Sequence, residues 1–248
     1  MSVSAENAEL AAATTNDPRW ASIVARDAGA DGKFFYSVKT AGVYCRPSCP
    51  ARLARPENVR FHVTAKDAEK AGFRACKRCK PNQPLVRFAI GESSVGSILV
   101  AKSDRGVCSI LMGDRPGQLV RDLRNRFPRA TLVEDDDGSR QLVSKVVGFA
   151  DAPTASLDLP LDVRGSAFQQ RVWQALRKIP VGSTASYTDI ANRIGSPKSV
   201  RAVARACGAN PLALAIPCHR VVRNDGTLAG YRWGIERKRV LLDREAHA

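Results

Sequence analysis

The chain has 248 residues, 44% of them hydrophobic, and a formal net charge of +15. That composition excludes general disorder, no apolar run reaches membrane-spanning length, and the alanine-rich start lacks the basic region of an export signal. Seven cysteines, an odd number, argue for a reducing compartment, and for metal binding or catalysis over disulfides.

The charge is unevenly placed. Residues 17–84 hold 14 basic against 6 acidic side chains and residues 161–248 hold 15 against 6, whereas residues 85–160 balance at 10 each. Two basic lobes across a neutral stretch point to a polyanion, most simply nucleic acid.

In chain order, residues 1–16 read as a disordered tail. At Asp17-Pro18 an N-cap and a first-turn proline start a short helix with Trp20, Ile23 and Val24 as its apolar stripe. Asp31-Gly32 is a turn signal, and Phe34 to Val38 reads as a strand. Cys45 and Cys49 follow, then Cys76 and Cys79 after 26 intervening residues. Two close cysteine pairs at this separation predict a tetrahedral four-cysteine zinc site; two disulfides, or a redox pair of Cys76 and Cys79, are the alternatives. With few aliphatic residues in 17–84, the metal would supply much of that segment's folding free energy. The ordinary role of an all-cysteine site is a shielded staple. Four thiolates around Zn²⁺ nevertheless carry a formal −2, and an exposed edge would be nucleophilic.

Pro81 to Pro84 reads as a linker. Residues 85–160 read as a small α+β unit. Alternating apolar residues at 97–101 and 107–111 flank a Ser103-to-Gly106 hairpin turn, and helical spacing appears at Leu119, Leu123 and Phe127 and at Leu142, Val146 and Phe149. Cys108 reads as a packed strand residue, and Glu134 to Asp137 as a solvated loop. Beyond residue 161, Ser166 and Gln169 form a capping-box pattern ahead of a helix carrying Phe168, Val172, Leu176 and Ile179. A second helix starts at Ser186-Tyr187. It breaks at Gly195, after which Ser196 is expected to cap, and Pro197 to open, a third helix bearing Lys198, Arg201 and Arg205, giving a helix-turn-helix pattern. In Ile216 to Val221, Cys218 beside His219 reads as a nucleophile at the end of a short buried strand. Strand neighbours face opposite ways, so the pair would cooperate only across a bend or through a bridging water. A buried cysteine next to a structural histidine is the plainer reading.

Several segments carry a family resemblance. Val163 to Gln170, Ser186-Tyr187, Pro197 to Val203, Asn210-Pro211, Pro217 to Val222 and Gly230 to Gly234 resemble the O6-methylguanine-DNA methyltransferases. Asp31-Gly32, Cys45 to Cys49, Glu57 to Val59 and Gly72 to Cys79 resemble the zinc domain of the bacterial Ada adaptive-response proteins. One departure is large: full-type Ada proteins insert an AraC-like module where Pro84 here runs almost directly into a Leu85 strand.

The resemblance implies an α+β multidomain fold: a zinc domain over 17–84, an RNase H-like α+β domain over 85–160, and a mostly helical domain with the helix-turn-helix over 161–248. It implies that Cys218 accepts the alkyl group from guanine O6, with His219 acting through water as base, Glu245 orienting the imidazole and Asn210 joining this network to the helix-turn-helix. Tyr187 would rotate a phosphate and Arg201 would fill the space of a flipped nucleotide, since a base inside a duplex cannot reach a buried sulfur. Lys198 and Arg205 would bind DNA, and Tyr231 and Arg232 would close over the base. Cys45 would accept a methyl from a backbone phosphotriester, with Cys45, Cys49, Cys76 and Cys79 as zinc ligands. This reverses the staple reading. A thioether leaves poorly, so each acceptor would turn over once, with no organic cofactor.

The expected setting is a bacterial cytoplasm, as a monomer on alkylated double-stranded DNA, without membrane attachment, any transcriptional role needing a separate AraC-like regulator. Two competing classes remain at this point. A sequence-specific regulator would need a major-groove reader besides this helix-turn-helix, and a non-catalytic lesion binder would lack Cys218.

Overall fold

The computed structural model describes residues 3–134, 138–153 and 157–247. It separates into two units, Met1–Leu85 with Arg129–Val133, and Val86–Pro128 with Glu134–Ala248.

The first unit corrects one expectation at once. Residues 3–16 form helix α1 (Val3–Asn16), not a disordered tail. The sequence lacks an amphipathic stripe there, but Ala, Leu and Glu are strong helix formers, and α1 packs against the turn Pro56–Asn58 and buries Thr14. Helix α2 (Pro18–Val24) begins as expected, with the Asp17 carboxylate accepting from Arg19 N. Ile23 is buried, whereas Val24, the last helical residue, is exposed. Strands β1 (Phe35–Val38), β2 (Val43–Cys45), β3 (Val59–His62) and β4 (Arg74–Ala75), with helix α3 (Ala65–Lys70) between the last two, make a sheet of order β3-β1-β2-β4. The parallel β2–β4 pairing sets both cysteine segments at one end: Cys76 N donates to Tyr44 O over 3.0 Å, beside Cys45.

The second unit opens with a three-strand antiparallel meander, β5 (Leu85–Ser93), β6 (Gly96–Ser103) and β7 (Gly106–Gly113). The expected hairpin turn closes at Ser103–Gly106. Helix α4 (Pro116–Arg126) buries Leu119 and Leu123; β8 (Thr131–Glu134) follows in the chain, its first three residues belonging to the first unit. Glu134 is exposed, and residues 135–137 of the acidic run lie outside the described residues. Helix α5 (Gly138–Asp151) lies on the sheet so closely that a Cβ at Gly91 would come within 2.4 Å of Val143.

Helix α6 (Ala167–Arg177) carries the expected capping box, Ser166 with Gln169. After β9 (Ala185–Ser186), a second box, Ser186 with Asp189, starts α7 (Tyr187–Arg193). Gly195, at φ 67°, makes the turn. Ser196 makes no capping hydrogen bond; its hydroxyl instead accepts from Arg171 over 3.3 Å, and a 3₁₀ turn (Pro197–Ser199) leads into α8 (Val200–Gly208). The chain closes with β10 (Val221–Val222), parallel to β9, and α9 (Ile235–Glu245). One continuous core takes residues from both sides of position 160, from Ala89 and Ile98 to Ile216 and Leu241.

Candidate active site and metal centre

The loop before Cys218 is fixed to the sheet. Ile110 N donates to Pro211 O over 2.9 Å, and Ala213 N returns a bond to Ile110 O over 3.1 Å. Two tight turns follow, Ala215 N to Ala213 O at 2.7 Å and Cys218 N to Ile216 O at 2.8 Å. The first holds Leu214 at φ 67°, a strained conformation for a branched side chain. Cys218, His219 and Arg220 then form a 3₁₀ turn ahead of β10. The nucleophile therefore precedes a strand instead of ending one. Flanking β-branched residues signal burial, which a tight turn here satisfies equally well. The turn is the bend that a Cys218–His219 partnership requires.

Asn210 is fully buried and organises the sulfur's surroundings. Its Oδ1 accepts from Leu212 N over 2.9 Å; its Nδ2 donates to Ile216 O over 2.8 Å and to Cys218 Sγ over 3.2 Å. Burial pushes the Cys218 thiol up to about 11, against the Asn210 hydrogen bond and the Lys238 charge, which pull it down. His219 Nε2 donates to Glu245 Oε1 over 2.8 Å, while its buried Nδ1 has no partner among the described residues. Burial lowers the imidazole pKa despite the carboxylate, so the neutral ring is favoured. Burial would raise Glu245, but hydrogen bonds from His219 and Arg220 prevail and hold it at about 2.

Two residues of this network went unnoticed in the sequence. Arg220 clasps Glu245 through Nε and Nη2, each 2.8 Å from a carboxylate oxygen, and donates Nη1 to Ile179 O over 2.6 Å. Lys238 is fully buried and donates Nζ to the carbonyls of Val221 and Ala229. Within Arg237-Lys238-Arg239 it reads as solvated charge. Its spacing to Leu241 and Glu245, on one helical face, was the available signal.

Other expected residues are spread around this centre. The Tyr231 ring lies edge-on to His219 at 6.4 Å, its hydroxyl buried, and Arg232 stacks on Trp233 at 5.9 Å. Tyr187 is half-buried at the start of α7, its phenol pushed up to about 12 by burial. On α8, Val203, Ala206 and Cys207 face inward and Arg201 and Arg205 outward. These two, with Lys198 in the preceding turn, are exposed, and their side chains make no hydrogen bond or ion pair among the described residues. Trp173 Nε1 donates to Ala206 O over 2.9 Å, tying α8 to α6.

In the first unit, Cys45, Cys49, Cys76 and Cys79 bring their sulfurs within 4.8 Å of one another. Tetrahedral Zn–S bonds of about 2.3 Å set sulfurs roughly 3.8 Å apart, so this all-thiol donor set fits zinc after small side-chain adjustments. All seven cysteines are free, which removes the disulfide alternative. The Asp31 carboxylate accepts from Ser48 N and Oγ, and buried Arg46 donates to Pro81 O and Gln83 O, fixing the Cys45–Cys49 loop. Cys45 and Cys76 line a cleft of about 400 Å³ with Tyr36, Val43, Arg52, Arg55 and Asn58. Both arginines are exposed.

Comparisons with known proteins agree with this division. Residues 18–82 match the metal binding domain of Ada, and residues 167–247 match the DNA binding domain of 6-O-methylguanine DNA methyltransferase. The Escherichia coli bifunctional transcriptional activator/DNA repair enzyme Ada is 37% identical, with 94% of this chain and 97% of the relative covered. That alignment runs to 342 positions, longer than this chain, so the relative carries an internal stretch with no counterpart here. An inducible methylated-DNA–protein-cysteine methyltransferase of Bacillus subtilis is 38% identical over 67% of this chain and 94% of its own length. The crystal structure of Mycobacterium tuberculosis OGT in complex with DNA superposes with a TM-score of 0.55 at 34% identity, covering 66% of this chain and 93% of that one.

Proposed function

The chain belongs to the Ada family of methylated-DNA–protein-cysteine methyltransferases, which repair DNA by moving alkyl groups onto their own cysteines, and we propose that Cys218 and Cys45 are its two acceptors. One observation carries the assignment of Cys218. With Nε2 donating to Glu245, the His219 lone pair sits on Nδ1, on the residue next to the sulfur. Nδ1 takes the thiol proton through one water, and Asn210 Nδ2 donates to the resulting thiolate. The sulfur attacks the alkyl carbon on guanine O6 as the C–O bond breaks. The guanine anion takes back the proton held by His219, leaving a thioether on Cys218. Since a thioether does not release the alkyl group, each chain acts once.

DNA supplies the substrate to a site that the fold keeps closed, Cys218 being 4% exposed. The flipped-out nucleotide therefore has to displace the loop of Tyr231 and Arg232. Arg201 takes the space left in the duplex, Tyr187 turns the adjacent phosphate, and Lys198 and Arg205 hold the backbone; exposure of the three α8-side cations supports this reading.

Zinc, when bound, keeps the four cluster sulfurs ionised. Cys45 and Cys76 both line the cleft, where Arg52 and Arg55 hold the phosphates beside a methylated phosphotriester; of the two, Cys45 is the acceptor because it stands at the first cysteine of the Ada zinc-domain motif. Functionally, residues 85–160 serve as scaffold and 161–248 as the DNA-binding and catalytic part; every residue of the Cys218 network lies in the latter. The protein works as a single chain on double-stranded DNA in the cytoplasm, and a transcriptional response requires a separate AraC-like regulator. The test is peptide mapping after exposure to DNA labelled at the O6-methyl group. Label on Cys218, and none in a Cys218→Ala variant that still binds DNA, is expected; label on another cysteine of the second unit contradicts the assignment.

A further inference from the structure

Among the described residues, one buried charge of the second unit has no carboxylate partner while Cys218 is a thiol. Glu245 is answered by Arg220 through two 2.8 Å hydrogen bonds, and Asp162 by Arg105 and Arg164. Burial favours neutral His219. That leaves Lys238, fully buried, with two backbone carbonyls as acceptors and no carboxylate within ion-pair distance among the described residues. A buried ammonium without a counter-ion is costly, and carbonyl dipoles offset only part of the cost. Ionising Cys218 would supply the missing negative charge.

The carbonyls that hold Lys238 place it for that role. Val221 stands three residues beyond Cys218, directly after the 3₁₀ turn, and Ala229 stands two residues before Tyr231 in the loop over His219. The ammonium therefore sits between the segment leaving the nucleophile and the loop that closes the site.

We infer that Lys238 is a positioning residue that serves as the internal counter-charge of the Cys218 thiolate, resting on the reading of Cys218 as acceptor. His219 moves the proton, and Lys238 balances the charge left on sulfur. The other titratable or charged groups near the sulfur do not take this part. Arg220 is committed to Glu245, Cys207 and Tyr231 are pushed by burial toward their neutral forms, and Arg232 is exposed on Trp233. Burial opposes this charge on sulfur and pushes the Cys218 thiol up to about 11.

The test needs no DNA. In the full zinc-loaded chain, the rate of Cys218 alkylation by iodoacetamide is followed from about pH 6 to about pH 9 by peptide mass, in wild type, Lys238→Met, Lys238→Gln and Lys238→Arg. Both neutral variants should react about tenfold more slowly at a given pH, equivalent to a thiol pKa raised by about one unit, and Lys238→Arg should recover most of the rate. Unchanged profiles in folded neutral variants overturn the inference. So does failure of both neutral variants to fold, which would assign the ammonium to stability. Methyl transfer from O6-methylguanine DNA reports separately on Cys218 as acceptor, so the two readings can fail independently.

Discussion

Asn210 Nδ2 reaches Cys218 Sγ at 3.2 Å and Ile216 O at 2.8 Å, so one amide holds both the nucleophile and the turn that presents it. Asn210→Ala should slow transfer from O6-methylguanine by roughly 10², in line with losing one preorganised donor to developing charge. Leaving buried Leu212 N and Ile216 O without this partner should cost about 1–3 kcal/mol of stability. Asn210→Asp, which sets a carboxylate against the thiolate, should be slower still. Single-turnover rates with a urea titration separate the two effects. Wild-type rates in Asn210→Ala would remove the amide from the mechanism.

The second unit should lose stability as pH falls through the histidine range. The folded-state pKa of His219 is lowered by burial, so the unfolded chain binds its proton first. The associated stability is full above the ordinary value of about 6.5 and declines as pH falls toward the folded value. Glu245, held at about 2, stays ionised throughout that window and adds no slope there. Denaturant midpoints at several pH values should show a slope in wild type that flattens in His219→Gln. An identical slope in the variant would place the titrating group elsewhere.

Where signals are local, sequence and structure coincide. Asp17-Pro18, the Ser166–Gln169 and Ser186–Asp189 capping boxes and the Ser103–Gly106 hairpin each act within four residues, and each is found in place. The four cysteines were legible because their chemistry demands a shared cation. What stayed hidden depends on partners far along the chain. Arg220 meets Ile179 and Glu245, and Lys238 meets Val221 and Ala229; only the spacing of Lys238 to Leu241 and Glu245 on one helical face separated a buried cation from a solvated one. Helix α1 escaped for a related reason: propensity without amphipathicity does not indicate packing on Pro56–Asn58.

The exposed cations around α8 should separate into two kinds. If Arg201 fills the space of the flipped nucleotide, Arg201→Ala slows repair of duplex far more than repair of the free modified base. Lys198→Ala and Arg205→Ala should instead weaken binding to any duplex and reduce the salt slope by about one phosphate contact each. Equal slowing of Arg201→Ala on duplex and free base would exclude the flipping role.

Zinc removal should divide the molecule. Three of the seven buried residues in the first unit's core cluster are cysteines of the metal site, so little apolar packing remains without the ion. Chelation at neutral pH should unfold this unit, seen as loss of amide-exchange protection in Phe35–Val38 and Val59–His62, while guanine repair by the second unit stays near its starting rate. Loss of guanine repair in step with zinc would show that the two acceptors are not independent.

The central claim is that each chain takes two methyl groups, one at Cys45 and one at Cys218, by separately activated sulfurs. Intact-mass measurement after exposure to DNA carrying both O6-methylguanine and methylphosphotriesters tests it most directly. Two added methyl masses are expected for wild type, and one for either Cys45→Ala or Cys218→Ala, wherever the variant keeps its fold. A wild-type mass that never exceeds one methyl, with zinc bound and phosphotriesters present, would contradict it and leave Cys45 as a ligand alone.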